Sequence, residues 1–260
     1  MPRPEIMIDT HCHLCDKRFD SDREPALARA LGAGVRHLVE IAYAPEIVPR
    51  AFALAARHPN VFLCVGVHPS ESGEVPLDYA ATLKEHARHA RVVAIGETGL
   101  DFHRDLAPRA DQERWFRLQL EIADELGLPV VIHQRASLEE TLAILEVKPP
   151  KAGGVLHCFD DGPEAVARAR GLGFKLGLGG CLTYGHPALD RAVSSAPADM
   201  LVLETDAPYL EPEPRGLRRN EPALLGRVLA RLSGLRGWTE AEADGITTAN
   251  ARELFRLPIA

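Results

Sequence analysis

Two hundred and sixty residues, 46% hydrophobic and 26% charged, suit a globular chain of one large domain or two small ones and exclude a collagen or a disordered tail. No apolar run approaches the roughly 18 residues that cross a bilayer, and the opening MPRPEIMIDT holds no apolar stretch for a secretory signal, so a cytoplasmic protein is expected. Thirty Lys and Arg against 37 Asp and Glu give a formal charge of −7, so a polyanion would have to be met by a local positive patch or by bound cations.

In chain order, apolar runs of strand length fall at residues 5–13, 35–41, 61–67, 92–97, 129–133, 154–157, 174–177 and 200–204. Runs such as Val-Val-Ala-Ile and Pro-Val-Val-Ile lack polar alternation, as parallel strands covered on both faces do. Amphipathic stretches of helical length lie between them at 23–32, 47–58, 77–90, 112–126, 137–146, 162–172 and 187–195, many of them ending at Gly or Pro. A closing helix is expected at 240–257, and EPEPRGLRRN at 211–220 reads as a loop over the mouth of the fold. Eight βα units in about 250 residues match a closed (β/α)8 TIM barrel, here a single domain over 1–260, with an open doubly wound sheet as the alternative.

Sites in such barrels are built at the carboxyl ends of the strands. Asp9, His11 and His13 are spaced by two, so a regular strand sends all three to one side and Cys12 to the other. By the same count Glu97 is in phase with Val93 and Ile95, His133 with Val131, His157 with Val155, and Glu204 and Asp206 with Val202. One histidine at a strand end is ordinarily a hydrogen-bonded structural residue. Four of them with acids in phase point to metal: His11, His13, Glu97, His133, His157 and Asp206 offer nitrogen and oxygen ligands to divalent ions.

Six ligands exceed what one catalytic ion takes, because it keeps a position open. Two ions about 3.5–4 Å apart, bridged by Glu97 and carrying a bridging hydroxide as nucleophile, would use all six and act on phosphate esters or amides. Asp9 is expected either to hydrogen-bond a ligating imidazole or to serve as a cap or solvated acid. The Cys12–Cys15 spacing is that of a zinc knuckle or a redox pair, yet no second CxxC exists and Cys12 alternates with two expected ligands, so coincidence is the favoured reading. The five cysteines, at 12, 15, 64, 158 and 181, are expected as buried thiols in a reducing compartment.

The stretches IDTHCHL (8–14), GVHP (66–69), IGETGLDFHRD (95–105), the Gln112, Phe116, Gln119, Leu120 pattern, LPVVIHQRA (128–136), GVLHCF (154–159), LETDAPYL (203–210), RNEP (219–222) and TTANARELF (247–255) run in order along the chain. Together they resemble the TatD family of metal-dependent deoxyribonucleases, a branch of the amidohydrolase-like TIM barrels. The resemblance implies a two-metal hydrolase that cuts DNA phosphodiester bonds, often from the 3′ end. It implies the same six ligand positions for two divalent ions (Mg2+, Mn2+ or Zn2+). Catalysis would rest on Asp206, Glu204 and Glu97: Asp206 passes a proton to or from the water, and Glu204 assists by hydrogen bonding or is a structural partner to an arginine. Some members lack the HxH pair, which this chain keeps at His11 and His13.

The departures fall in loops facing the substrate. Arg135, Ala136 and Ser137 stand where the family usually has an acid after the arginine, Phe159, Asp160, Asp161 and Gly162 replace an aromatic-Ser-Gly, and RGLRRNEP is one residue longer than expected. Arg135, Arg215 and Arg219 are expected to grip phosphates, and His68 and Tyr209 to stack on or hydrogen-bond an end nucleotide. For Arg215 and Arg219 a solvated surface run is an equal reading. With 5% aromatics a long stacking groove is not expected, which favours a DNA strand end. The alternatives are a two-metal hydrolase of a small amide, lactone or aminoacyl ester, with Asp160 and Asp161 meeting a cationic group, and a non-enzymatic scaffold organised by metal.

Overall fold

The computed structural model describes residues 6–217 and 219–257; the expected start of the first strand at residue 5, Arg218 in the mouth loop, and the chain beyond residue 257 lie outside them. Eight strands alternate with helices in the order β1 (Met7–Cys12), α1 (Arg23–Gly32), β2 (Val35–Ala42), α2 (Val48–Arg57), β3 (Val61–Val65), α3 (Tyr79–Ala87), β4 (Val92–Asp101), α4 (Arg109–Leu126) and β5 (Val130–Arg135). They continue through α5 (Leu138–Val147), β6 (Gly154–Leu156), α6 (Pro163–Gly171), β7 (Phe174–Leu178), α7 (Pro187–Ser195), β8 (Leu201–Leu203), α8 (Leu225–Arg236) and α9 (Glu240–Phe255).

The strands pair in chain order and in parallel from β1 to β8. Closure comes from main-chain bonds of His13 N–H to Ala207 O (2.7 Å) and Asp206 N–H to His11 O (2.8 Å). The Thr10 hydroxyl donates to Leu203 O (2.9 Å) across the same seam. The result is the (β/α)8 barrel, not an open sheet.

Two apolar layers account for the unalternated strand runs. Leu38, Leu63, Val130 and Ile132 face the helices, whereas Val39, Phe62, Cys64, Val131, Val155 and Val202 fill the barrel. Leu254 and Phe255 of α9 belong to that inner cluster, and α9 is tied to the lower end by bonds from Thr248 to Ile6 O (2.6 Å) and from Asn250 to Leu201 O (2.8 Å). A capping box fixes the start of α9, with Glu242 N–H donating to Thr239 Oγ1 (3.2 Å) and Thr239 N–H to Glu242 Oε2 (2.8 Å).

Strict alternation fails in β1 and β4. Asp9 pairs with Leu38 and Cys12 with Glu40, three residues set against two. Ile95 pairs with Val130 and Thr98 with Ile132 in the same way. An extra residue reverses the phase of the strand beyond it. Ile8 therefore packs inside the barrel and His11 still reaches the interior, while Ile95 packs outside. Glu97 turns inward because of the bulge, and the expected phase match with Ile95 is not the reason.

Strand β4 also runs to Asp101, beyond the expected end at 97. It passes His133 through Gly99 (φ 135°), where any Cβ would collide with the His133 carbonyl oxygen. Helix α8, absent from the expected elements, buries Leu225, Val228, Leu229 and Leu232 as an i, i+3, i+4, i+7 stripe. No described helix is long and apolar enough to cross a membrane.

Candidate active site

The six expected ligand residues meet at the carboxyl end of the barrel. His11 and His13 leave β1 with their Nε2 atoms 3.2 Å apart. Glu97 lies between groups of imidazoles: its Oε2 is 3.4 Å from His11 Nε2 and 4.0 Å from His13 Nε2. Its Oε1 is 2.7 Å from His133 Nδ1 and 3.6 Å from Nε2 of both His157 and His68. Asp206, just past β8, places Oδ1 3.2 Å from His13 Nε2 and 3.7 Å from His11 Nε2.

These spacings fit metal. Ligands about 2.1 Å from one ion sit roughly 3.0–3.5 Å from one another, close to the separations among His11, His13, Glu97 Oε2 and Asp206 Oδ1. Two imidazole nitrogens facing each other at 3.2 Å between carboxylate oxygens form a donor set that a cation satisfies. The triples His11, His13, Glu97 and His68, Glu97, His133 each gather their ligand atoms within 4.8 Å, and they share Glu97.

The electrostatics keep the carboxylates ionised. Burial pushes the Glu97 carboxyl up, but the His68, His11 and His157 imidazoles outweigh it and hold the group well below the usual range. Asp206 is lowered in the same way, burial being overcome by His13 and His157. Burial and the facing His157 ring lower His11, the two rings being stacked with centroids 3.5 Å apart. Burial brings His68 down to about 3.

Two further acids stand behind the histidines. Glu204 Oε1 lies 2.9 Å from His157 Nδ1 and accepts the Cys158 N–H at 2.6 Å. It occupies space left by Gly177, where a Cβ would collide with the carboxylate. Asp101 Oδ2 lies 3.2 Å from His133 Nε2, and its Oδ1 accepts the N–H groups of His103 (3.0 Å) and Arg104 (2.8 Å). Each acid engages one ring nitrogen and leaves the other turned toward Glu97, the arrangement that orients metal-ligating histidines.

Residues 8–256 match the family described as TatD related DNase. The chain belongs to the TatD-related DNase family. It is 40% identical over 261 residues to the 3'-5' ssDNA/RNA exonuclease TatD of Erwinia billingiae, covering 97% of this chain and 100% of that one. A metal-dependent hydrolase of Bacillus subtilis, YabD, is 34% identical over 97% of this chain and 100% of its own length. The crystal structure of the TatD homologue YjjV from Escherichia coli superposes with a TM-score of 0.92 at 31% identity, covering 97% of this chain and 98% of that one.

In this TatD-family chain a cleft of about 610 Å³ opens over the histidines, and His68, Arg135 and Tyr209 are among the residues that line it. His68 sits deeper than a residue that only meets substrate, within the Glu97 and His133 ligand triple. Arg215 and Arg219 do not reach the cleft. Arg219 pairs with Asp22 (2.6 Å) and Glu221 (3.1 Å) and lies 4.0 Å over the Phe19 ring. Arg215 lies 3.9 Å over Tyr184 and pairs with Glu213 at 3.2 Å. Arg104 lines the cleft in their place, with the exposed Leu106 two residues on.

Asp9 meets no imidazole: its carboxylate accepts from His11 N–H (3.2 Å), Thr205 N–H (2.9 Å) and the Thr205 hydroxyl (2.6 Å). It therefore fixes the β1–β8 seam, and burial, partly offset by the Thr205 bonds, raises it to about 7. Cys12 and Cys15 lie buried beside Glu40, which accepts the N–H groups of Leu14 (2.7 Å) and Cys15 (2.8 Å). Asp160 lines the cleft, while Asp161 accepts from Gln134 at 2.6 Å. Asp101 and Arg104 are site residues that the sequence did not single out. Both fall inside the LDFHRD stretch, beyond the expected end of β4 at 97.

Proposed function

We propose that this chain is a divalent-metal-dependent hydrolase that cuts phosphodiester bonds from the 3′ end of single-stranded DNA, in which His11, His13, Glu97, His133, His157 and Asp206 would hold two ions. The observation that carries the reading is the division of labour between the two Glu97 oxygens. Oε2 faces His11 and His13, with Asp206 beside them, while Oε1 faces His133 and His157, with His68 alongside. Mg2+, Mn2+ or Zn2+ suits a mixed set of imidazole and carboxylate. Such ions, when bound, acidify a water and neutralise the charge that develops on the phosphate.

The residues of the chain supply the rest. Asp206 is the carboxylate open to the cleft, with 12% of its side chain exposed against 4% for Glu97 and 1% for Glu204, so it is placed to take the proton of the attacking water. Glu204 and Asp101 hold His157 and His133 in position. Arg104 and Arg135 present guanidinium groups to a phosphate at the rim. A cleft of about 610 Å³ has the size of a site that takes a small ligand or a strand end. The relative from Erwinia billingiae, named for 3'-5' action on ssDNA and RNA, supports the polarity, and the reading places the protein in the cytoplasm.

The test is incubation with 3′-labelled single-stranded DNA and Mn2+ or Mg2+. Stepwise release of label that chelator abolishes is expected. Intact DNA alongside turnover of a small ester or amide overturns the reading in favour of the small-molecule hydrolase.

A further inference from the structure

We propose that Cys158 and Cys181 form a reversible disulfide on the cleft wall, a peroxide-oxidised modification site directly beside the His157 ligand position. Their sulfurs lie 3.3 Å apart, and both residues line the cleft. Cys158 is the one described cysteine that is not buried. Cys12, Cys15 and Cys64 are sealed in the apolar layers at 0% exposure, out of reach of an oxidant arriving through the cleft.

The main chain already holds the two thiols side by side. Phe159 N–H donates to Gly177 O (2.9 Å), so the segment after β6 runs along β7. Cys181 comes next in the helical turn Gly180–Tyr184 that caps β7. Reaching the bond length of about 2.05 Å requires the sulfurs, now 3.3 Å apart, to close by roughly 1.2 Å.

The chemistry balances with peroxide as the oxidant. One thiol attacks the peroxide oxygen, giving a sulfenic acid and water; the second thiol displaces hydroxide from that sulfur, giving the disulfide and a second water. Peroxide in excess drives the oxidation, and a dithiol reductant returns the electrons.

The bond would be felt at the metal site. Cys158 has left-handed backbone (φ 50°), which a non-glycine residue keeps only where its surroundings hold it. Its restraints include the bond from its N–H to Glu204 Oε1, the same oxygen that faces His157 Nδ1. Drawing Cys158 toward Cys181 pulls on that peptide and shifts Glu204, and with it the His157 ring.

The experiment treats the whole protein, freed of reductant, with excess hydrogen peroxide, then denatures and alkylates it. Free thiols are expected to fall from five to three, with a peptide pair linking 158 to 181 that is two hydrogens lighter and is released by dithiothreitol. Cys181→Ser is expected to give no such link. Five surviving thiols, overoxidation of Cys158 without a link, or an equal thiol loss in Cys181→Ser overturns the proposal. None of these readouts depends on DNA cleavage, so failure of the nuclease reading is a separate result. A Mn2+ titration tests the coupling: the oxidised protein is expected to bind at least tenfold more weakly than the reduced, and equal affinity refutes the effect on His157.

Discussion

Glu204 Oε1 lies 2.9 Å from His157 Nδ1, and the Nε2 of the same ring is turned toward Glu97 Oε1 at 3.6 Å. The glutamate thus sets which nitrogen is free to ligate. Glu204→Gln keeps an acceptor for the Cys158 N–H but removes the charge, and metal affinity is expected to fall about 10–100-fold. Calorimetric titration with Mn2+ checks this, and unchanged affinity would remove Glu204 from the account.

Gly177→Ala reaches the same contact from the other side. The added methyl collides with the Glu204 carboxylate, and overpacking of this kind costs about 1–3 kcal/mol. Thermal denaturation should show the loss, and metal affinity should fall alongside it. A destabilised variant with intact affinity would mean that Glu204 relaxes without moving His157.

The pH dependence of metal binding and that of metal-free stability run in opposite directions. Burial lowers the His157 pKa, but Glu204 and Glu97 outweigh it and raise the ring from its ordinary 6.5 to about 10. Its contribution to the stability of the metal-free fold is therefore complete below about 6.5 and is lost as pH rises through about 10. An ion at Nε2 displaces that proton, so affinity should rise about tenfold per pH unit over the same window. Melting temperatures of the chelated protein at pH 7 and pH 10, beside Mn2+ titrations at pH 6.5 and 8, check both slopes.

The arginines separate by location. Arg104→Ala or Arg135→Ala should raise KM for single-stranded DNA about 10-fold, the worth of one charged hydrogen bond, and leave turnover of a small phosphodiester nearly unchanged. Arg219→Ala breaks the pairs with Asp22 and Glu221. It should lower the melting temperature with KM unchanged; a KM shift there instead would return Arg219 to the substrate path.

The barrel and its histidines are legible in the sequence because buried parallel strands write themselves as unalternated apolar runs, and His133 and His157 continue those runs in phase with Val131 and Val155. Phase counting also selects His11 and Glu97, though the one-residue bulges that aim them leave no mark in a period-two pattern. Asp101 is hidden because the apolar run of β4 ends at 97, yet Gly99 lets the strand continue past the His133 carbonyl. Arg219 is misplaced because a charged run in a loop does not reveal its partners: Asp22 is 197 residues away in sequence. The buried stripe of α8 is readable but interleaved with Gly226, Gly234 and the arginines at 227, 231 and 236.

Anomalous diffraction from crystals soaked in Mn2+ tests the pair of ions most directly. Two peaks about 3.5–4 Å apart, one against Glu97 Oε2 with His11 and His13 and the other against Oε1 with His133 and His157, are the predicted result. A single peak at full occupancy, or two peaks that do not share Glu97, would contradict it.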